Sequence, residues 1–292
     1  LRARSLLFTS DLDGPIHQDK GASRAEASRS GNGKLLAVYD VVLDENGYLD
    51  SYRKIEKDDD AKGTKWYAIL EVCAPSGWYN DQAYADTLNK KAIERFIEVT
   101  HESYKAKVGD EFDKTVPAIF TDEPQFTRKQ VFRNSFDTED VAMPWTDSVP
   151  QLYKEAYGAD IFETLPEIFW DLKNSAPSIH RYRYHDFIAE LFAQSFADTV
   201  GKWCDDNGIA LTGHMMEEPT LHSQTAALGE AMRSYRSFQL PGIDLLCNNH
   251  EFTTAKQAQS ATHQFGYEGV LSELYGVTGW DCNFKTYKHQ GD

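Results

Sequence analysis

From Gly208 onward the chain alternates short apolar runs with helical stretches, and this alternation narrows the possible folds more than any other feature. Ile209-Ala210-Leu211-Thr212-Gly213-His214, Ile243-Asp244-Leu245-Leu246 and Gly269-Val270-Leu271-Ser272-Glu273 read as strands. Helical segments from Gln224 to Phe238 and from Thr253 to Phe265 separate them, the second closed by Gly266. A strand that must cross a helix before the next strand lies parallel to it. An earlier unit has the same form. A helix opened by Asp86, with Leu88, Ala92, Ile93, Phe96, Ile97 and Val99 at helical spacing, ends near Gly109. It leads into Val116-Pro117-Ala118-Ile119-Phe120, an apolar run that predicts a buried parallel strand. A long helix is expected from about Ile179 to Asn207, with Phe187, Ile188, Leu191, Phe192, Phe196, Val200 and Trp203 on its buried face.

The expected fold class is therefore α/β: a (β/α)8 TIM-type barrel, incomplete at its C-terminus. A doubly wound open sheet is the alternative. The absence of a GxGxxG or Walker loop weakens its nucleotide-binding forms. Upstream, Leu35 to Leu43 and Trp66 to Val72 read as strands, and Asn46-Gly47 is a hairpin turn, so an antiparallel β insertion is expected near the N-terminus. Ser10 to Lys34 reads as a loop or arm, and Thr127 to Thr146 as a long polar and aromatic loop. The expected division is residues 1–64 as arm and β-hairpin region and 65–292 as the barrel catalytic domain, within a fragment of a longer protein.

Charge excludes two classes of partner. Forty-six acidic residues against 30 basic ones give −16, which argues against nucleic acid and against an anionic membrane surface. No apolar run approaches the ~20 residues of a membrane helix. Cys73, Cys204, Cys247 and Cys282 lie far apart, without CxxC spacing. Scattered thiols fit a reducing compartment, so a cytoplasmic location is favoured over a secreted one. The oligomeric state is left open.

The chemistry is expected at the strand ends, where α/β proteins place it. The first apolar run ends in Asp122-Glu123-Pro124, and Glu273 ends another about 150 residues later. Two carboxylates at two strand ends suggest an acid/base pair, and glycoside hydrolysis is commonly built that way. One acid must be protonated at working pH, which burial or a neighbouring carboxylate achieves; Asp122 beside Glu123 is such a neighbour. The other must stay ionised, to attack the sugar or to activate water. His214, Glu217 and Glu218 form a third acidic strand end and are assigned to substrate contacts, with one of the glutamates an alternative second acid. Trp78 on the loop Ala74 to Asn80, Tyr275, and Trp280 after Gly279 are candidate sugar-stacking aromatics. Asn248-Asn249-His250-Glu251 is a further source of polar contacts. A metal-dependent hydrolase is a weaker reading, because His214 with Glu217 and Glu218 is not HExxH. Its other ligands would come from His222, His250 or His263.

Phe120-Thr121-Asp122-Glu123-Pro124, Thr212-Gly213-His214 and Leu271 to Trp280 resemble barrel glycoside hydrolases of the clan A type, over about Trp66 to Trp280. Within these the chain is similar to bacterial hydrolases related to the family 106 α-L-rhamnosidases. The resemblance implies Glu123 as acid/base at the end of the fourth barrel strand and Glu273 as nucleophile or base at the end of the seventh. It departs in having Asp122 where clan A has Asn. Family 106 enzymes invert and bind calcium, which the resemblance implies here, although the sequence has no DxDxDG loop and on its own residues calls for no cofactor. The implied substrate is an oligosaccharide or glycoside. The alternative is a carbohydrate-binding or degenerate barrel without turnover.

Overall fold

The computed structural model describes residues 1–16, 29–246 and 251–292. In chain order the elements are β1 (Arg4–Thr9), β2 (Lys34–Leu43), β3 (Leu49–Ile55), β4 (Thr64–Val72), α1 (Lys90–Val99) and α2 (His101–Val108). There follow β5 (Ala118–Asp122), β6 (Val141–Trp145), α3 (Val149–Tyr157), α4 (Ile179–Phe192), α5 (Thr199–Asp206) and β7 (Ala210–His214). The last are α6 (Leu221–Ala227), α7 (Ala231–Tyr235), β8 (Leu240–Leu245), α8 (Thr253–Phe265), β9 (Leu271–Leu274) and α9 (Phe284–Gly291). The chain forms two compact units. One comprises Leu1–Ala92 and Phe126–Leu191, the other Ile93–Gln125 and Phe192–Asp292.

The first unit carries a five-stranded antiparallel sheet, ordered β3-β2-β4-β1-β6. Gly47, at φ +82°, supplies the left-handed turn between β2 and β3, as its Asn-Gly pair predicts. Aromatic packing makes the core: Phe8 stacks on Trp66 at 5.1 Å and on Phe169 at 4.2 Å. The sequence predicts loop over Thr127 to Thr146, whereas β6 lies inside it with all five residues buried. Pro144 is tolerated because β6 is an edge strand, paired among the described residues with β1 alone, and spends no N–H on a second neighbour. Asp86, expected as a helix cap, is instead buried and accepts from Thr146 Oγ1 at 2.6 Å. The helix starts later, with Asn89 Oδ1 accepting from Lys91 N–H.

Lys129 gives this unit a titratable weak point. It is buried, its Nζ lies 2.9 Å from Nδ1 of His185, and burial pushes its pKa down to about 7. Burial first, and then the Lys129 charge, pushes His185 down to about 3. In the unfolded chain lysine titrates near ~10.4. Between those limits the unfolded state holds a proton that the folded state has released, so stability rises with pH from about 7 to ~10. Below that window the fold carries the full penalty of the buried ammonium. Lys129→Met is therefore expected to stabilise the protein at pH 6, by on the order of 3 kcal/mol, with the gain shrinking towards pH 10. Calorimetry across that range checks it.

The second unit is built on a four-stranded parallel sheet, ordered β5-β7-β8-β9. The alternation read from the sequence thus yields parallel strands, and the described residues form a four-stranded sheet rather than an eight-stranded barrel. β5 was expected to be buried. It is an edge strand with half-exposed residues, and Phe120 is 44% exposed. The stretch expected as one helix from Gln224 to Phe238 is two, α6 and α7, parted at Gly229 with φ +94°. The freed N–H of Ala231 is taken by Oε1 of the buried Gln224. The helical run from Ile179 is continuous to Asp206, with a π-helical segment at Ala193–Asp198 joining α4 and α5. Two glycines let the strands approach. A Cβ on Gly213, at φ +125°, would lie 1.9 Å from the Thr121 carbonyl oxygen, and one on Gly242 would lie 2.3 Å from the Gly213 oxygen.

Candidate active site

All four strands of the parallel sheet end in the same cluster. In register, Asp122 on β5 is opposite His214 on β7, and Asp244 on β8 is opposite Glu273 on β9. Glu123 is the first residue beyond β5, and its N–H donates to the His214 carbonyl oxygen at 3.2 Å, extending the ladder by one bond. Its φ is +46°. Glu217 and Tyr275, in the segments after β7 and β9, also take positive φ, at 58° and 71°. For residues with a Cβ this costs on the order of 1–3 kcal/mol each, and such strain gathers at functional sites.

His214 is the hub. Its side chain is 1% exposed, and the Phe120 ring meets it edge-on at 5.5 Å. Asp122 Oδ1 lies 3.1 Å and Asp244 Oδ2 3.8 Å from Nε2, while Glu273 Oε2 lies 3.8 Å from Nδ1. Glu123 offers an oxygen to the same group. Burial, then the Asp122 charge, raises the Glu123 pKa; Asp244 and Glu217 add to the push and His214 opposes it. Burial likewise raises Asp244. The Glu273 side chain, 47% exposed, is open to solvent.

Glu218 lies behind this rim. It is 4% exposed, with both carboxylate oxygens engaged inside the protein. Oε1 accepts from Met215 N–H at 3.1 Å, and Oε2 from Asp244 N–H at 3.2 Å. Those bonds tie the end of β7 to β8. Burial pushes its pKa up to about 7. The Tyr235 hydroxyl lies 2.9 Å from Oε1 and 2.8 Å from the Gly242 oxygen, but has one hydrogen to give. A protonated Glu218 resolves the conflict by donating to Tyr235, which then donates to Gly242.

The structure brings Asp122, Glu123, His214 and Glu273 together. Glu217 is near enough for its charge to act on Glu123. Trp78 belongs to the first unit, on the turn Gly77–Tyr79, and is 65% exposed. Trp280 is fully exposed, and Tyr275 packs on Tyr287 at 5.0 Å. His222 and His263 are exposed on α6 and α8, while Asn248, Asn249 and His250 lie outside the described residues. Asp244 is the residue that sequence reasoning missed. Its signal was a lone carboxylate inside the apolar run of β8, one strand from His214. An apolar cavity of about 350 Å³, lined by residues including Phe96, His101, Tyr104 and Phe120, holds none of these carboxylates.

A calcium ion, implied by the family resemblance, can be tested against the donors present. Glu123, His214 and Asp244 each offer one atom, all within 4.8 Å of one another. Calcium takes six to eight oxygens. Here the most buried donor is an imidazole nitrogen, so the set does not fit calcium.

No protein-family model matches the chain, and no curated protein matches it. Among solved structures, its fold is similar to that of the rhamnosidase from Novosphingobium sp. PP1Y. The TM-score is 0.56 and the sequence identity 16%, over 99% of this chain and 33% of that one. The chain therefore spans about one third of that protein's length, and the likeness is one of fold.

Proposed function

We propose that this chain carries the catalytic cluster of a glycoside hydrolase, with an α-L-rhamnoside as substrate. One observation carries the reading: Glu123 is held in a left-handed conformation at a strand end, its pKa raised, against a cluster that also holds Glu273. Glu123 is the proton donor to the leaving oxygen. Glu273, open to solvent, is the carboxylate that faces the anomeric centre, as nucleophile or as base on water. His214 lies beside both acids, and its charge works against the rise at Glu123 that burial and Asp122 produce. The fold likeness to a rhamnosidase supports the sugar class.

Glu123→Gln and Glu273→Gln are each expected to cut hydrolysis of an unactivated α-L-rhamnoside sharply and to spare sugar binding. Binding in the wild type without turnover would establish the sugar-binding alternative instead. A pH profile probes the donor. Asp122 raises the Glu123 pKa, so hydrolysis falls as pH rises through that value. Asp122→Asn removes the push, and the alkaline limb of kcat/KM is expected to move to lower pH. An unmoved limb would take the donor role from Glu123.

A further inference from the structure

His214 has an unusual environment for a buried histidine. Among the described residues, neither ring nitrogen has a hydrogen-bond partner, and nor does Oδ1 of Asp244. A buried neutral imidazole ordinarily donates through one nitrogen and accepts through the other. Here carboxylate oxygens converge on both nitrogens at 3.1–3.8 Å.

We propose that Glu123, His214 and Asp244 form a binding site for a divalent d-block cation of the zinc class, and that the site discriminates against calcium. The three donor atoms lie within 4.8 Å of one another. A zinc ion with bonds of about 2.0–2.2 Å draws such atoms to roughly 3.4 Å apart, a closure within the reach of side-chain rotation. Nε2 is the ligating nitrogen, because the Asp244 carboxylate lies on that side. Glu273 Oε2 lies 3.8 Å from Nδ1, on the opposite side of the ring, so it leaves Nε2 to the cation. Imidazole selects zinc, nickel and their neighbours, while calcium prefers an all-oxygen cage.

The cation has a consequence that rests on the proposed hydrolysis. A ligating carboxylate must be ionised, so the loaded site leaves Glu123 without a proton to donate. Zinc is then an inhibitor of turnover, released by a chelator.

The whole chain, stripped with a chelator, is titrated with zinc chloride and separately with calcium chloride, and heat and melting temperature are followed. Zinc at micromolar concentration is expected to bind at one site and raise the melting temperature, and calcium to do neither below millimolar. Asp244→Asn is expected to weaken zinc at least tenfold. His214→Gln should abolish binding, and cobalt absorption in the wild type reports the nitrogen ligand independently should that variant fail to fold. A zinc response unchanged in Asp244→Asn, no response to zinc, or an equal response to calcium overturns the proposal. Zinc binding by a chain that hydrolyses nothing leaves the site standing and removes the glycosidase reading.

Discussion

Glu123→Gln is expected to lower turnover of an unactivated rhamnoside by about 10²–10⁴-fold, the range for losing a positioned general acid. Gln keeps the shape of the side chain and can still hydrogen-bond a sugar oxygen, so KM should change little. The loss should depend on the leaving group. An unactivated alcohol needs a proton as the bond breaks, whereas a dinitrophenolate leaves without one, so with that substrate most of the loss should vanish. Glu273→Gln should show no such rescue, because the function it loses acts on the anomeric carbon. The pair of variants therefore separates donor from nucleophile or base. Equal losses with both leaving groups would reverse the assignment. The structural ground for expecting the donor at Glu123 is the asymmetry between the two acids. Burial and the adjacent Asp122 raise Glu123, whereas the Glu273 side chain is nearly half exposed.

Much of this geometry was legible in the residues, for a physical reason. Short apolar runs separated by helical stretches permit parallel strands, and side chains at the ends of such runs lie together at one rim, so the pattern of residues alone groups Asp122, Glu123, His214 and Glu273. What failed were judgements that depend on neighbours distant in sequence. β5 looks buried from its composition, but its exposure depends on what lies beside it, and it is an edge strand. The stretch Thr127 to Thr146 reads as loop from its polar and aromatic composition, because the pairing of β6 with β1 joins residues far apart in sequence. Glu218 and Glu217 are chemically identical neighbours. One is buried beneath the rim with a polar partner on each oxygen and the other takes a left-handed backbone beside the cluster, a distinction that depends on Tyr235 and Asp244. Asp244 escaped notice because one carboxylate in a strand carries no spacing pattern; it acquires meaning from the imidazole across the sheet.

Gly213→Ala should destabilise the protein by about 3 kcal/mol or more, far beyond an ordinary glycine substitution. Two costs combine. The φ of +125° lies where residues with a Cβ are strained. The new methyl would also lie 1.9 Å from the Thr121 oxygen and 2.7 Å from its nitrogen, both backbone atoms that cannot rotate away. Relief requires β5 and β7 to part, which breaks the ladder that runs from Ala118–Ala210 to Asp122–His214. Gly208→Ala is the control. That residue is also left-handed, at φ +64°, but a Cβ there meets nothing within 4 Å. Its cost should be the backbone preference alone, about 1 kcal/mol. Denaturant melts of both variants measure the difference, and the stable fraction of Gly213→Ala should bind zinc poorly, since His214 is the next residue. Equal losses in the two variants would mean that β5 and β7 do not pass as closely as drawn. The juxtaposition of Glu123 with His214, on which both the donor and the cation site depend, would fall with that close approach.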